Sequence, residues 1–353
     1  MIARFFRSVC FAVALLAAAA GAVMAQTTLP QVKLWGASAT VDAYHGFLFL
    51  GSPLGFYEKQ GVKVEFGTAA GSAATLQLLA SGQVDMGYIG MDVLILAKSR
   101  NPDIPVTAVY LQDRENIYEV VVPADSPIRT VADLKGKNIG VANLASGAIP
   151  NLKGMLMDAK LNPASDVTMI PVGNGAQAAA ALTTGRVQAL SLFRAQHALI
   201  ETLGVKFRYL TREAPSAVIA VNSGFLAKNR ETVVKVLRGV AQSSTFAQRN
   251  PEASVREFWK LYGAPKGLEE KEAMSRSMHV LSSTAKLWKD NADTKVRWGA
   301  MDDAMWSKMQ QFLIQQQQLQ TLVPLTSIYT NALIDAVNTV NLEPAIDSAR
   351  TYK

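Results

Sequence analysis

Short β-branched runs alternate with helical stretches through residues 31–192, and no other feature restricts the fold of this chain as much. A strand that must be followed by a helix before the next strand is the sequence form of the parallel βαβ unit. Residues 32–35 (VKLW) predict a first strand, followed by a loop and a helix reaching about Gln60. Gly61 suits the position after that helix, where positive φ is favoured, and residues 62–66 (VKVEF) predict the second strand. A small-residue loop at 67–72, a helix from Ala73, a stop at Gly82, a strand at 84–89 and a helix at 92–100 complete a first series. A second series follows Pro127: a strand at 139–142, a helix at about 146–159, a strand at 167–171, a helix near 176–183 and a strand at 187–192. The segments LASGQVD (79–85) and LTTGRVQ (182–188) play one role, helix end, glycine stop and strand start, and suggest two similar lobes.

Two further apolar runs, IYEVVV (117–122) and AVIAV (217–221), flank the second series and predict strand-like connectors on which the chain crosses over and later returns. From Lys228 onward the pattern is helical, with Val233, Val234, Leu237 and Val240 at helix spacing. Phe258, Trp259, Leu287, Trp288, Trp298 and Trp306 read as anchors of these helices to the core. The glutamine-rich stretch 310–320 retains Phe312, Leu313, Ile314 and Leu319 and predicts a helix with a polar face. The fold class expected is therefore α/β, two lobes joined by two crossover strands, with a helical C-terminal extension.

The 353 residues, 49% apolar and 18% charged, are enough to bury a sizeable core. The first 25 belong to a different category. Arg4 and Arg7 form a basic start, Cys10–Ala20 is an apolar run, and Val23-Met24-Ala25 ends on a small residue, so a secretory signal peptide cleaved after Ala25 is expected. The alternative is a retained anchor, since residues 9–25 are nearly long enough to span a bilayer. Cleavage removes Arg4 and Arg7 and takes the formal charge from +7 to +5. Nothing in that mild excess, and no Lys/Arg-rich run, points to nucleic acid. Cys10, the sole cysteine, leaves with the leader, which excludes disulfides, thiolate metal ligands and cysteine nucleophiles from the mature chain.

No catalytic constellation is evident. The three histidines, His45, His197 and His279, are scattered, and neither HExxH, GxSxG nor GxxxxGK[ST] occurs. No metal site and no cofactor are expected. Two small-residue loops, AAGSA (69–73) and ASGA (145–148), instead lead into helix N-termini, where backbone N–H groups and the helix dipole suit a carboxylate, sulfonate or phosphate. Gly71, Ser72 and Ala73 in one loop and Ser146 and Gly147 in the other are candidate ligand contacts; ordinary N-capping by the two serines is the competing explanation.

The run YHGF (44–47) through GFYEKQGVKV (55–64), followed by SGQVDMG (81–87), SPI (126–128) and DLKGKxIGV (133–141), resembles the nitrate/sulfonate/taurine-type substrate-binding proteins of ABC importers, including binders of thiamine pyrimidine precursors. The resemblance covers residues 31–250 and rests on the order and spacing of these motifs together. It implies a type II periplasmic binding protein fold, with residues 26–119 in one lobe, 120–214 in the other, and 215–353 returning to the first and supplying the C-terminal helices. It also implies a ligand held between the loops of Ser38–His45, 70–73, 90–92, 143–147, 173–175 and 193–194. On that basis Trp35, Tyr44, Met91 and Phe193 are expected to wall the apolar side. Ser38, Asp42, Asp92, Asn143 and Asn174 are expected to supply polar contacts, and Arg194 to clamp an anion bidentately. His45 matches a histidine of the pyrimidine-precursor members, or serves a local role at a helix start. Gln188 and Phe193-Arg194-Ala195 depart from the family pattern and leave the ligand open.

The expected function is that of a monomeric periplasmic protein that captures a small anionic or aromatic solute and delivers it to a permease and its ATPase. A pyrimidine-precursor binder is the first alternative. An enzyme of related fold and the ligand-sensing subunit of a receptor are the others. Related enzymes use a cysteine that the mature chain lacks.

Overall fold

The computed structural model describes residues 28–211, 216–289, 293 and 295–353; the expected leader and Pro215 lie outside them. Residues 31–353 form one compact unit, to which all that follows refers. Ten strands divide between two five-stranded sheets. The first contains β1 (Gln31–Gly36), β2 (Lys63–Thr68), β3 (Met86–Gly90), β4 (Val106–Asp113) and β10 (Ala217–Asn222) in the order β2-β1-β3-β10-β4. The second contains β5 (Tyr118–Pro123), β6 (Lys137–Val141), β7 (Val167–Pro171), β8 (Ala189–Phe193) and β9 (Phe207–Leu210) in the order β7-β6-β8-β5-β9. The two orders correspond strand for strand. In each sheet three strands pair in parallel, and one strand from elsewhere in the chain is inserted antiparallel beside them.

Those inserted strands are the two apolar runs expected to be connectors, and each pairs within one sheet beside a crossing of the chain. Their side chains explain the unbroken apolar sequence. Ala217, Ile219 and Val221 enter one core cluster while Val218 and Ala220 enter another. Val120 and Val122 likewise part from Val121. A strand buried on both faces has no polar side to alternate with. One crossing, at 114–117, is short, and the start of β10 lies beside it. Ser216 ties them together: its N–H donates to Asp113 O (3.2 Å), its hydroxyl donates to Glu115 O (2.8 Å) and accepts from Ile117 N–H (3.0 Å).

The helix expected up to Gln60 is broken into Ala43–His45, Gly46–Phe49 and Phe56–Lys59, with Gly51, Pro53 and Gly55 between the pieces. Strands β4 and β9 and the helix Arg194–Glu201 lie outside the expected set. Gly61, Gly82 and Gly185 hold the positive φ expected of them.

Beyond β10 the chain is helical, chiefly in Arg230–Arg249, Pro251–Tyr262, Glu270–Ala285 and Asp303–Gln315. Leu287, Trp288 and Trp298 are buried in one core cluster, against which Phe258 and Trp259 pack, and Trp306 is buried in another. The glutamine helix stops at Gln315 because Gln317 turns to φ +52°. Its glutamines work as tethers: Gln310 donates to Val323 O (3.0 Å) and accepts from Val323 N–H (2.6 Å), Gln318 donates to Pro150 O (2.9 Å) and Gln316 to Asp158. Pro150 and Asp158 belong to the helix Ala148–Asp158 beside the second sheet, so the extension holds both halves of the molecule.

Candidate functional site

The carboxyl ends of the parallel strands of both sheets face a cleft. In open α/β sheets this is where the chain must leave the sheet, so loops and helix starts converge there. From the first half come Ser38 and its neighbours after β1, Tyr44, Gly71, and Tyr88 near the end of β3. From the second come Tyr118, Asn143, Ser146, Gly147, Asn174, Phe193 and Arg194, and Thr284 reaches in from a C-terminal helix. The walls are aromatic: the rings of Tyr44 and Phe193 lie 5.3 Å apart, and Tyr88 is backed edge-on by Phe47 at 5.1 Å. Burial drives the Tyr44, Tyr88 and Tyr118 phenols well above their ordinary range, so all three remain neutral hydroxyls.

Nine of the expected contacts therefore line the cleft: Ser38, Tyr44, Gly71, Asn143, Ser146, Gly147, Asn174, Phe193 and Arg194. The other seven do not. Trp35 covers Gly67, where a Cβ would come within 2.5 Å of the indole. Met91 is fully buried in a core cluster. Asp92 is buried, with Oδ1 accepting from Val93 N–H at 2.8 Å. His45 Nδ1 accepts from Asp42 N–H (3.1 Å), the local role at a helix start, and burial lowers its pKa to about 3. Asp42 accepts from Gln196 Nε2 at 3.1 Å, while Gln196 Oε1 accepts from Gly175 N–H at 2.9 Å, so it joins the halves beside the cleft.

Ser72 and Ala73 are used where the two small-residue loops meet. Ser72 Oγ accepts from Gly90 N–H (3.1 Å), and Ala73 N–H donates to Ala145 O (3.3 Å) in the opposite loop. A Cβ at Gly71 would fall 2.7 Å from Ala145 O, and one at Gly147 would overlap the Tyr118 hydroxyl. The glycines permit this close approach. Ser146 accepts from Ala148 N–H (3.2 Å), which is capping geometry.

The expected anion clamp has a carboxylate partner of its own. Arg194 donates to Glu119, which is fully buried, and its guanidinium lies 5.2 Å from the Tyr209 ring centre. His197 Nδ1 stands 3.5 Å from the other Glu119 oxygen, and burial lowers the pKa of that histidine. The only charged side chain lining the cleft, among the described residues, is thus already neutralised.

Sequence reasoning missed Tyr88, Tyr118, Thr284 and, behind Tyr88, Asp113. Tyr88 sits in an otherwise small and aliphatic strand end, MGYIG, and that hydroxyl was the available signal. Asp113 is fully buried, its Oδ2 accepts from the Tyr88 hydroxyl, and burial raises its pKa to about 7. Trp288 Nε1 is near enough to oppose that rise without closing a hydrogen bond. Among the described residues no cluster of three or more His, Cys, Asp or Glu is arranged to hold a metal, and no helix is long and apolar enough to cross a membrane.

The model of a family described as NMT1/THI5 like matches residues 42–254. A Brucella abortus protein named as a binding protein is 27% identical over 271 residues, covering 73% of this chain and 78% of its own. A formylaminopyrimidine-binding protein of Halalkalibacterium halodurans is 22% identical over 222 residues, 61% of this chain and 66% of its own. An Aspergillus parasiticus protein named as a 4-amino-5-hydroxymethyl-2-methylpyrimidine phosphate synthase is 27% identical over 228 residues, 61% of this chain and 66% of its own. Among solved structures, the alkanesulfonate-binding protein SsuA of Xanthomonas axonopodis pv. citri superimposes with a TM-score of 0.61 at 18% identity, over 87% of this chain and 97% of that one. The architecture is that of the periplasmic binding proteins.

Proposed function

Because the chain belongs to the NMT1/THI5-like family, we propose that it is the solute-binding component of an ABC importer and holds a small, planar, uncharged ring between its two halves. One observation carries the ligand class: the cleft is walled by Tyr44, Tyr88, Tyr118 and Phe193, while Arg194, its one cation among the described residues, pairs with Glu119. Aromatic walls stack a flat ring, and an anion held there meets a guanidinium already paired with a carboxylate. The pyrimidine named for the Halalkalibacterium relative is a ring of this kind, which favours the pyrimidine alternative over a sulfonate, nitrate or taurine. On this reading residues 1–25 direct export to the periplasm and are removed. Residues 26–119 and 215–353 form one lobe, 120–214 form the other, and the closed pair is presented as a monomer to a permease and its ATPase.

An enzyme is the second reading, since synthases share the family. Cys10 is the only cysteine of the chain, and a mature protein without one has no thiol nucleophile.

Thermal unfolding of the full chain with pyrimidines, benzoate and alkanesulfonates tests the proposal. Ligand at a hundred times its dissociation constant stabilises by about 2.7 kcal/mol, several degrees of melting temperature. A shift with pyrimidines alone is expected. A shift with sulfonates alone overturns the ligand class, and turnover of a bound pyrimidine overturns the non-enzymatic reading.

A further inference from the structure

We infer that Asp113 is a positioning residue that fixes the Tyr88 hydroxyl as a hydrogen-bond acceptor towards the cleft, so that the ligand is a heterocycle presenting an N–H donor at that point. The inference rests on the aromatic-ring reading of the cleft given above. Asp113 ends β4, immediately before the first crossing, and is fully buried. Its Oδ2 accepts from Tyr88 Oη, and its Oδ1 has no hydrogen-bond partner among the described residues. No described cation pairs with it: the neighbouring Arg114 turns away and donates to Arg297 O (3.0 Å) and Ala300 O (3.2 Å). A phenol has one proton. Where Asp113 is ionised, above about pH 7, that proton is directed at the carboxylate and the oxygen offers only lone pairs to the cleft that Tyr88 lines.

The charge acts in the same sense. A buried carboxylate one hydrogen bond behind the wall repels an anion on the cleft side and polarises the phenol oxygen towards a donor. Tyr44 and Tyr118, which complete that wall, also feel the Asp113 charge. Donor and acceptor are thus not interchangeable here, as they are on a wall of free hydroxyls. A ring with an amino group gains a bond to Tyr88, and an isostere carrying methyl in its place leaves the phenol oxygen unsatisfied.

The test is calorimetric titration of the full chain at pH 8 with 4-aminopyrimidine and 4-methylpyrimidine, which share shape and differ in the donor. The expected result is a preference of about tenfold or more for the amino ring, the scale of one hydrogen bond to a charge-backed acceptor. Tyr88→Phe and Asp113→Leu should each bring that ratio towards unity while affinity for the methyl ring stays within a few fold. The double variant, which leaves neither a buried charge nor its donor, serves where a single one unfolds. A parallel loss for both rings in the variants assigns Asp113 a structural role and overturns the inference. Equal affinity in the unaltered protein overturns it too, while leaving the aromatic site standing. Failure of both rings to bind removes the reading of the cleft and the inference together.

Discussion

Arg194 and Glu119 are joined by a hydrogen-bonded ion pair between the end of β8 and its neighbour β5, and the carboxylate is wholly buried beneath the guanidinium. The pair lies at the cleft, so the charge expected to meet a ligand also has a partner within the protein. Removing Arg194 should therefore be felt first as instability. Arg194→Ala leaves Glu119 buried beside a histidine whose burial disfavours its charged form, and the expected cost is about 3 kcal/mol in urea unfolding. Affinity for an uncharged ring should change little. Lost affinity with unaltered stability would restore the clamp.

Glu119→Gln makes the complementary case. It frees the guanidinium while keeping the side-chain shape, so benzoate should bind the variant measurably better than the unaltered protein. Titration of both proteins with benzoate gives the comparison, and unchanged affinity would mean that Arg194 cannot turn towards the cleft.

Asp113 has a signature in pH. Its carboxyl titrates near pH 7 in the fold and near 3.8 in the unfolded chain. Between those values the native state holds a proton that the unfolded state has lost, so stability from this group falls as pH rises, by roughly 1.4 kcal/mol per unit. His45 has the opposite sign: neutral in the fold down to about pH 3, it charges on unfolding below 6.5, and stability falls as pH drops through that range. His45 is common to both proteins, so comparison with Asp113→Asn isolates the aspartate. The variant should melt higher than the unaltered protein at pH 8 and show no such gain at pH 4. An equal difference at both values would rule out the raised carboxyl.

Gly147 sets how closely the two loops meet. Its φ of −64° is open to any residue, so Gly147→Ala tests space alone. The added methyl meets the Tyr118 hydroxyl and Ser72 Oγ and should hold the cleft apart. The expected outcome is a larger radius of gyration in solution scattering with ligand present, together with affinity reduced about tenfold or more. Unaltered affinity would show that the contact is incidental.

Phe312 tethers the C-terminal helix to the second half of the molecule. It packs against Gly154, where a Cβ would overlap its ring. Phe312→Ala should cost roughly 3 kcal/mol, and Gly154→Ala about 1–3 kcal/mol by overpacking. Urea unfolding of both variants measures this contact.

The alternation of strand and helix, the glycine stops at Gly61, Gly82 and Gly185 and the helix anchors at Trp288, Trp298 and Trp306 were all legible in the chain, because each is a local property. Periodicity and positive φ are set by neighbours in sequence. So, too, was the position of the cleft, since loops after parallel strands can only gather at their carboxyl ends. What the side chains do there was settled by partners far away in sequence. Glu119 is 75 residues from Arg194 and takes its charge. Ala145 meets Ala73 across the two loops, and Asp113 lies 25 residues from Tyr88 and orients its proton. Met91, Trp35 and His45 sit in or beside the expected loops but turn into the core, because a backbone position fixes where a side chain starts and only packing fixes where it points. The chain by itself thus determined the scaffold and the place of the site. Which side chains wall the cleft, and which partners they take, was decided by burial and long-range pairing in the tertiary structure.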